Sequence, residues 1–141
     1  MNRKGSAVWN GSLKDGKGTV STESGMLKEA QYSFKTRFEQ GVGTNPEELL
    51  AAAHAGCFSM ALSLFLGNAG LTPDSIRTTA TVSLEQVGGG FAITKSHLDV
   101  TAKVPGATAE AFQAAAKGAK ENCPLSKVLN AEVTMDARLE P

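Results

Sequence analysis

The chain has 141 residues and only two cysteines, Cys57 and Cys123, 66 positions apart. A thiolate is the strongest nucleophile such a composition offers, and a pair of thiols can cycle between dithiol and disulfide. Cys57 follows His54, Ala55 and Gly56 inside a long apolar segment. Ala55 and Gly56 leave room beside its sulfur. His54 lies on the same helical face and is either a cation that lowers the Cys57 pKa or a satisfied core histidine. Cys57 itself is either reactive or a small buried hydrophobe. Cys123 stands in Asn122-Cys123-Pro124, where one helix stops and another starts. Unpaired N–H groups at a helix start favour a thiolate, so local reasoning makes Cys123 the more acidic thiol. Its alternative reading is a cap without chemistry. Arg37 and Glu47 carry weak signals: a solvated arginine on a strand face, and a glutamate answering a helix dipole.

Competing chemistries find less support. His54, Cys57, Cys123 and His97 could in principle meet around zinc, but the tight paired spacing of zinc sites is missing. Gly16-Lys17-Gly18 and Gly41-Val42-Gly43 match no phosphate loop. Lys and Arg number 14 against 14 Asp and Glu, with no basic block and 6% aromatics, which argues against a nucleic-acid partner. No metal or organic cofactor is expected.

The positioning elements follow from period and punctuation. Length fits a single domain over residues 1–141. Ala7–Trp9, Gly18–Thr22 and Tyr32–Phe38 read as strands, the third with Tyr32, Phe34 and Phe38 on one face. Asn45 then caps a helix, Pro46 takes its first position and Glu48 closes a capping box. From Leu49 to Leu66 apolar residues surround the helix, so burial on most sides is expected. Ala51–Leu66 is too short for a membrane span, which needs about 20 apolar residues. A hairpin turning at Gly88-Gly89-Gly90 follows, with a bulge between Ile93 and Leu98. A helix capped by Thr108 runs to about Glu121, a short helix covers Pro124–Asn130, and Val133–Leu139 makes a closing strand. The class is α+β, with antiparallel sheet and buried helices. The over-apolar central helix hints at a dimer. Basic residues near Met1 have no apolar run behind them, so no signal peptide is expected and a reducing cytoplasm is the inferred setting.

Several segments together resemble the osmotically inducible protein C family, which is related to the organic hydroperoxide resistance proteins. They are Gly18–Gly25, Thr36-Arg37-Phe38-Glu39, Gly43-Thr44-Asn45-Pro46-Glu47-Glu48-Leu49, Ala52–Ser63 around Cys57, and Asn122-Cys123-Pro124-Leu125-Ser126. The likeness runs nearly end to end. It implies an intertwined homodimer, with antiparallel sheets wrapped around buried central helices and active sites at the subunit interface. It also implies thiol-dependent reduction of organic hydroperoxides in oxidative or osmotic stress defence. By motif match Cys57 would attack the peroxide and Cys123 would resolve the sulfenic acid as a disulfide. Arg37 would steady the Cys57 thiolate and Glu47 would orient Arg37. This reverses the local ranking of the cysteines, since a full charge within ~4–6 Å can move a pKa by 1–3 units. An external dithiol, such as a lipoylated protein, would restore the thiols.

Glu47 and Cys57 are ten positions apart, about 15 Å of rise on a straight helix. Either the helix breaks, or two subunits supply the two residues, or Arg37 spans part of the gap. Phe58, Met60 and Phe38 are candidates for lining an apolar pocket. A slow thiol redox sensor, and a noncatalytic stress-binding dimer with two structural thiols, are the alternative functions.

Overall fold

The computed structural model describes all residues, Met1–Pro141. They divide into two compact units, Met1–Leu49 and Leu50–Pro141. In the first, β1 (Gly5–Asn10), β2 (Lys17–Thr22) and β3 (Ala30–Tyr32) form an antiparallel sheet in chain order. Helix α1 (Phe34–Phe38) follows at once. This corrects the expected strand Tyr32–Phe38, and with it the placement of Arg37 on a strand. Ser33 Oγ accepts from Thr36 N, and Thr36 Oγ1 accepts from Ser33 N at 2.9 Å, so a reciprocal capping box starts the helix. Phe34 and Phe38 are four apart, a spacing that keeps two side chains on one face of either a strand or a helix. Their rings pack together, with centroids 4.8 Å apart.

Helix α2 (Pro46–Asn68) begins in the first unit and continues through the second without a break. Asn45 Oδ1 accepts from Glu48 N at 2.8 Å, as the expected cap requires. The Glu48 carboxylate takes its hydrogen from Thr44 Oγ1 at 2.6 Å rather than from the cap backbone, so only half of the expected box forms.

In the second unit β4 (Ser75–Val87) and β5 (Gly90–Lys103) form a long antiparallel hairpin. Gly88 and Gly89 both have positive φ, 57° and 81°, which a two-residue turn of this hand demands. Ser83 pairs with Lys95 but Leu84 with Ile93, so Thr94 is the extra residue of the expected bulge. Helix α3 (Ala109–Asn122), capped by Thr108, leads into α4 (Pro124–Val128) and then β6 (Glu132–Leu139). β6 lies parallel to β5, where antiparallel pairing was expected. The helical crossover through α3 and α4 carries the chain back to the start of the sheet, which is what a parallel neighbour needs.

The core gathers Phe58, Leu62 and Leu66 of α2, Leu98, Val100 and Ala102 of β5, and Phe112, Ala116 and Ala119 of α3, all fully buried. Gly118 lets α3 approach α2: a Cβ there would stand 2.7 Å from the Phe65 ring. His54, Phe58, Leu62 and Leu66 repeat every fourth residue and define the buried face of α2. Burial on most sides is therefore corrected for the single chain. Met60 is 78% exposed and Leu64 62%, so α2 carries apolar side chains outward as well. The helix is longer than its most apolar stretch, Ala51–Leu66, and by length and composition alone its 23 residues could cross a bilayer, which corrects the expectation that it is too short. Two glutamates in its first turn and a face committed to the core fit a packed helix better.

Candidate active site

Cys57 lies one step off the buried face of α2, where its sulfur is partly accessible. Cys123 ends α3 and opens α4, and is fully buried. Both are reduced, and the Cys123 thiol donates to Cys57 Sγ at 2.9 Å. Sequence reasoning assigned the start of α4 to Cys123. Instead the Leu125 N–H, in the first turn of α4, bonds to the sulfur of Cys57. Burial pushes the Cys57 thiol up, and the hydrogen bond and charge of the neighbouring Cys123 push it further. The Leu125 N–H pulls it partly back. A thiol held high by burial needs a cation before it becomes a good nucleophile at neutral pH.

His54 does not supply that cation. It is wholly buried, with Nδ1 2.7 Å from Ser96 Oγ on β5 and Nε2 2.8 Å from Ser126 Oγ on α4. Burial lowers its pKa below 6.5, so it is the satisfied, neutral core histidine of the two readings. A consequence for stability follows. The unfolded chain takes up a proton near pH 6.5 while the folded chain still refuses it, so stability is complete above that pH and declines as the pH falls below it. Thermal melts between pH 8 and pH 5 are expected to show the midpoint falling once the pH drops past 6.5, with the loss reduced in His54→Gln. A flat profile, or one identical in the variant, would refute the assignment.

In the first unit Arg37 and Glu47 form an ion pair. Arg37 Nε and Nη2 both donate to Glu47 Oε1, at 3.0 and 2.8 Å. Glu47 is 9% exposed, and its Oε2 is buried with no partner. Asn45 Nδ2 donates to Thr36 O at 3.0 Å, tying the start of α2 to α1, which carries Arg37. The guanidinium also lies 5.4 Å from the centre of the Phe38 ring. A cavity of about 230 Å³ opens beside it, walled by Trp9, Leu13, Tyr32, Phe34 and Phe38. Of the three side chains expected to line an apolar pocket, only Phe38 does so. Phe58 is enclosed in the core, and Met60 faces outward.

The four candidate residues thus form two pairs, one in each unit, joined along α2. Because α2 is unbroken, a helix break between Glu47 and Cys57 is excluded as the way to bring them together. No group of three or more metal-capable side chains converges anywhere. His97 is engaged with Thr134 and Asp136 rather than with the cysteines. The Leu125 amide and the two serines on His54 were invisible in the sequence. Ser96 and Ser126 lie 42 and 72 positions from His54, and no local pattern announces such partners.

Residues 39–138 match the model of the OsmC family, described as OsmC-like proteins. The chain is 58% identical to peroxiredoxin OsmC of Escherichia coli, over 99% of this chain and 98% of that one. It is 33% identical to an organic hydroperoxide resistance protein of Xanthomonas axonopodis pv. citri, over 67% of each chain. Among solved structures, an organic hydroperoxide resistance protein OsmC of Legionella pneumophila superposes with a TM-score of 0.67 at 26% identity, covering 98% of this chain and 97% of that one. With the family model matched over residues 39–138 and similarity along nearly its whole length, the chain belongs to the OsmC family.

Proposed function

We propose that the protein is a cysteine-dependent peroxidase that reduces organic hydroperoxides to alcohols in stress defence. The observation that carries this reading is the Cys123 thiol held 2.9 Å from Cys57. The Cys57 thiolate attacks the distal oxygen of ROOH. The O–O bond breaks, the alkoxide takes a proton and leaves as ROH, and Cys57 becomes a sulfenic acid. The Cys123 sulfur then displaces hydroxide from it. The S–S bond forms and water leaves with the Cys123 proton. An external dithiol, of which a lipoylated protein is one candidate, takes up the disulfide by two exchange steps and restores both thiols.

Arg37 is assigned the role of holding the Cys57 thiolate and the charge that develops on oxygen, with Glu47 orienting Arg37. The Trp9–Phe38 cavity beside Arg37 would receive the alkyl or aryl group of the substrate. The names of the Xanthomonas and Legionella relatives, both organic hydroperoxide resistance proteins, support that substrate class. We assign the two units to one OsmC-like domain and the working form to a homodimer. The outward Met60 and Leu64 of α2 support a second copy covering them. A reducing compartment such as the cytoplasm suits a disulfide that must be transient.

One equivalent of cumene hydroperoxide added to reduced protein is expected to remove both titratable thiols and yield one cumyl alcohol. Repeated turnover with excess dithiol separates the enzyme from a sensor. Thiols unchanged after the addition would sink the peroxidase reading.

A further inference from the structure

We infer that His54 is a positioning residue for disulfide closure: through Ser126 and Ser96 it clamps α4 against α2 and β5, and so keeps the Cys123 thiol on Cys57. The inference rests on the peroxidase reading for its purpose, but not for its geometry. His54 stands one helical turn before Cys57 on α2, and Ser126 stands three residues after Cys123 on α4. The Nε2–Ser126 bond, 2.8 Å, therefore joins the two cysteine-bearing elements within one turn of both sulfurs. The Nδ1–Ser96 bond, 2.7 Å, fixes the imidazole against the sheet. A wholly buried ring with both nitrogens engaged cannot swing, so it transmits the position of β5 to α4.

The clamp matters because, apart from Leu125 packing against the core, α4 has little to hold it. It is five residues long, none of them fully buried, and the Cys123 side chain makes no capping bond to it. A helix this short does not hold itself. Yet it carries the Leu125 N–H that meets the Cys57 sulfur, and it begins at the thiol that must meet it again after oxidation. When Cys57 becomes a sulfenic acid, the Cys123 sulfur displaces hydroxide, the S–S bond forms and water departs. That step needs the Cα atoms within about 4.4–6.8 Å, and an untethered α4 would reach this geometry less often.

The test uses two pairs of substitutions in full-length protein. His54→Gln places an amide near the position of Nε2 and can keep Ser126. His54→Asn mimics Nδ1, keeps Ser96 and cannot reach Ser126. Ser126→Ala removes the α4 end from a partly exposed helix, with little risk to folding. Reduced protein is mixed with one equivalent of cumene hydroperoxide and quenched at intervals with dimedone. Mass spectrometry then counts Cys57 sulfenic acid against the Cys57–Cys123 disulfide.

Closure is expected to slow about tenfold in His54→Asn and Ser126→Ala, the worth of one positioning hydrogen bond. Dimedone-trapped Cys57 should rise accordingly, the first oxidation should slow by less than closure does, and His54→Gln should recover most of the closure rate. A parallel arm drives closure with diamide, in which one thiolate adds to the N=N bond and the second displaces the hydrazine. That arm reads the clamp without any peroxidase activity. Closure as fast in His54→Asn and Ser126→Ala as in the wild type, by both oxidants, would overturn the inference. Wild type closing with diamide but inert to peroxide would overturn the peroxidase reading alone.

Discussion

Cys57→Ser is expected to abolish peroxide consumption, and Cys123→Ser to stop after one turnover with an oxygen atom trapped on Cys57. A serine hydroxyl has no significant ionised fraction near neutrality and no comparable attack on an O–O bond. The rate should therefore fall by about a thousandfold or more. Cys123→Ser keeps the nucleophile and the Leu125 N–H beside it. It also removes a thiol whose hydrogen bond and charge both push the Cys57 pKa up. Its first turnover should therefore be no slower than that of the wild type, while its steady state collapses for want of a resolving thiol. The measurement is intact mass after one equivalent of cumene hydroperoxide, with dimedone to mark sulfenic acid. A dimedone adduct on Cys123 in Cys57→Ser would exchange the two roles. Sustained turnover by Cys57→Ser would remove the cysteines from the chemistry.

The distinction between the thiols shows where sequence reasoning reached its limit. The start of α4 was legible from Pro124, and so was the helix-start amide effect, but its recipient was not. Distance along the chain favoured Cys123, whereas the fold turns the Leu125 amide to a sulfur 68 positions away. Helix α2 was legible because its cap is chemical: Asn45, Pro46 and two glutamates admit few other readings. Helix α1 was not, because Phe34 and Phe38 satisfy both periods. The Ser33–Thr36 box that decides between them hides in a pair of ordinary hydroxyl residues. The bulge at Thr94 was visible as a break in alternation, while the parallel pairing of β6 depends on a crossover that no residue of β6 encodes. The apolar girdle of α2 was seen correctly as a pattern. A single chain covers only the His54–Leu66 face, so burial on most sides is not a property of one copy.

Arg37→Ala is expected to slow oxidation of Cys57 by about ten- to a thousandfold at pH 7, the range set by losing an opposite charge worth 1–3 pKa units. Two signatures separate this from simple damage. Raising the pH should recover much of the loss, because the thiol that burial holds high then ionises without help. Alkylation of Cys57 by iodoacetamide should show the same upward shift in its pH midpoint. Removing Arg37 also leaves Glu47, already carrying one unpartnered buried oxygen, with neither of its two donors. A stability loss of about 1–3 kcal/mol is therefore expected, and Glu47→Gln should lose less because its amide oxygen can still accept from Arg37, whose half-exposed guanidinium keeps its access to water. The proposed homodimer adds a sharper measurement. Glu47 and Cys57 sit on one unbroken helix, about 15 Å apart along its axis, so a second copy is the proposed source of the Arg37 that reaches each Cys57. Mixing Arg37→Ala, slowed alone, with Cys57→Ser, inert alone, would then rebuild one complete site in each mixed dimer, and activity should rise above that of Arg37→Ala to about a quarter of wild type on random exchange. No recovery after verified subunit exchange would place Arg37 and Cys57 of the same chain in one site.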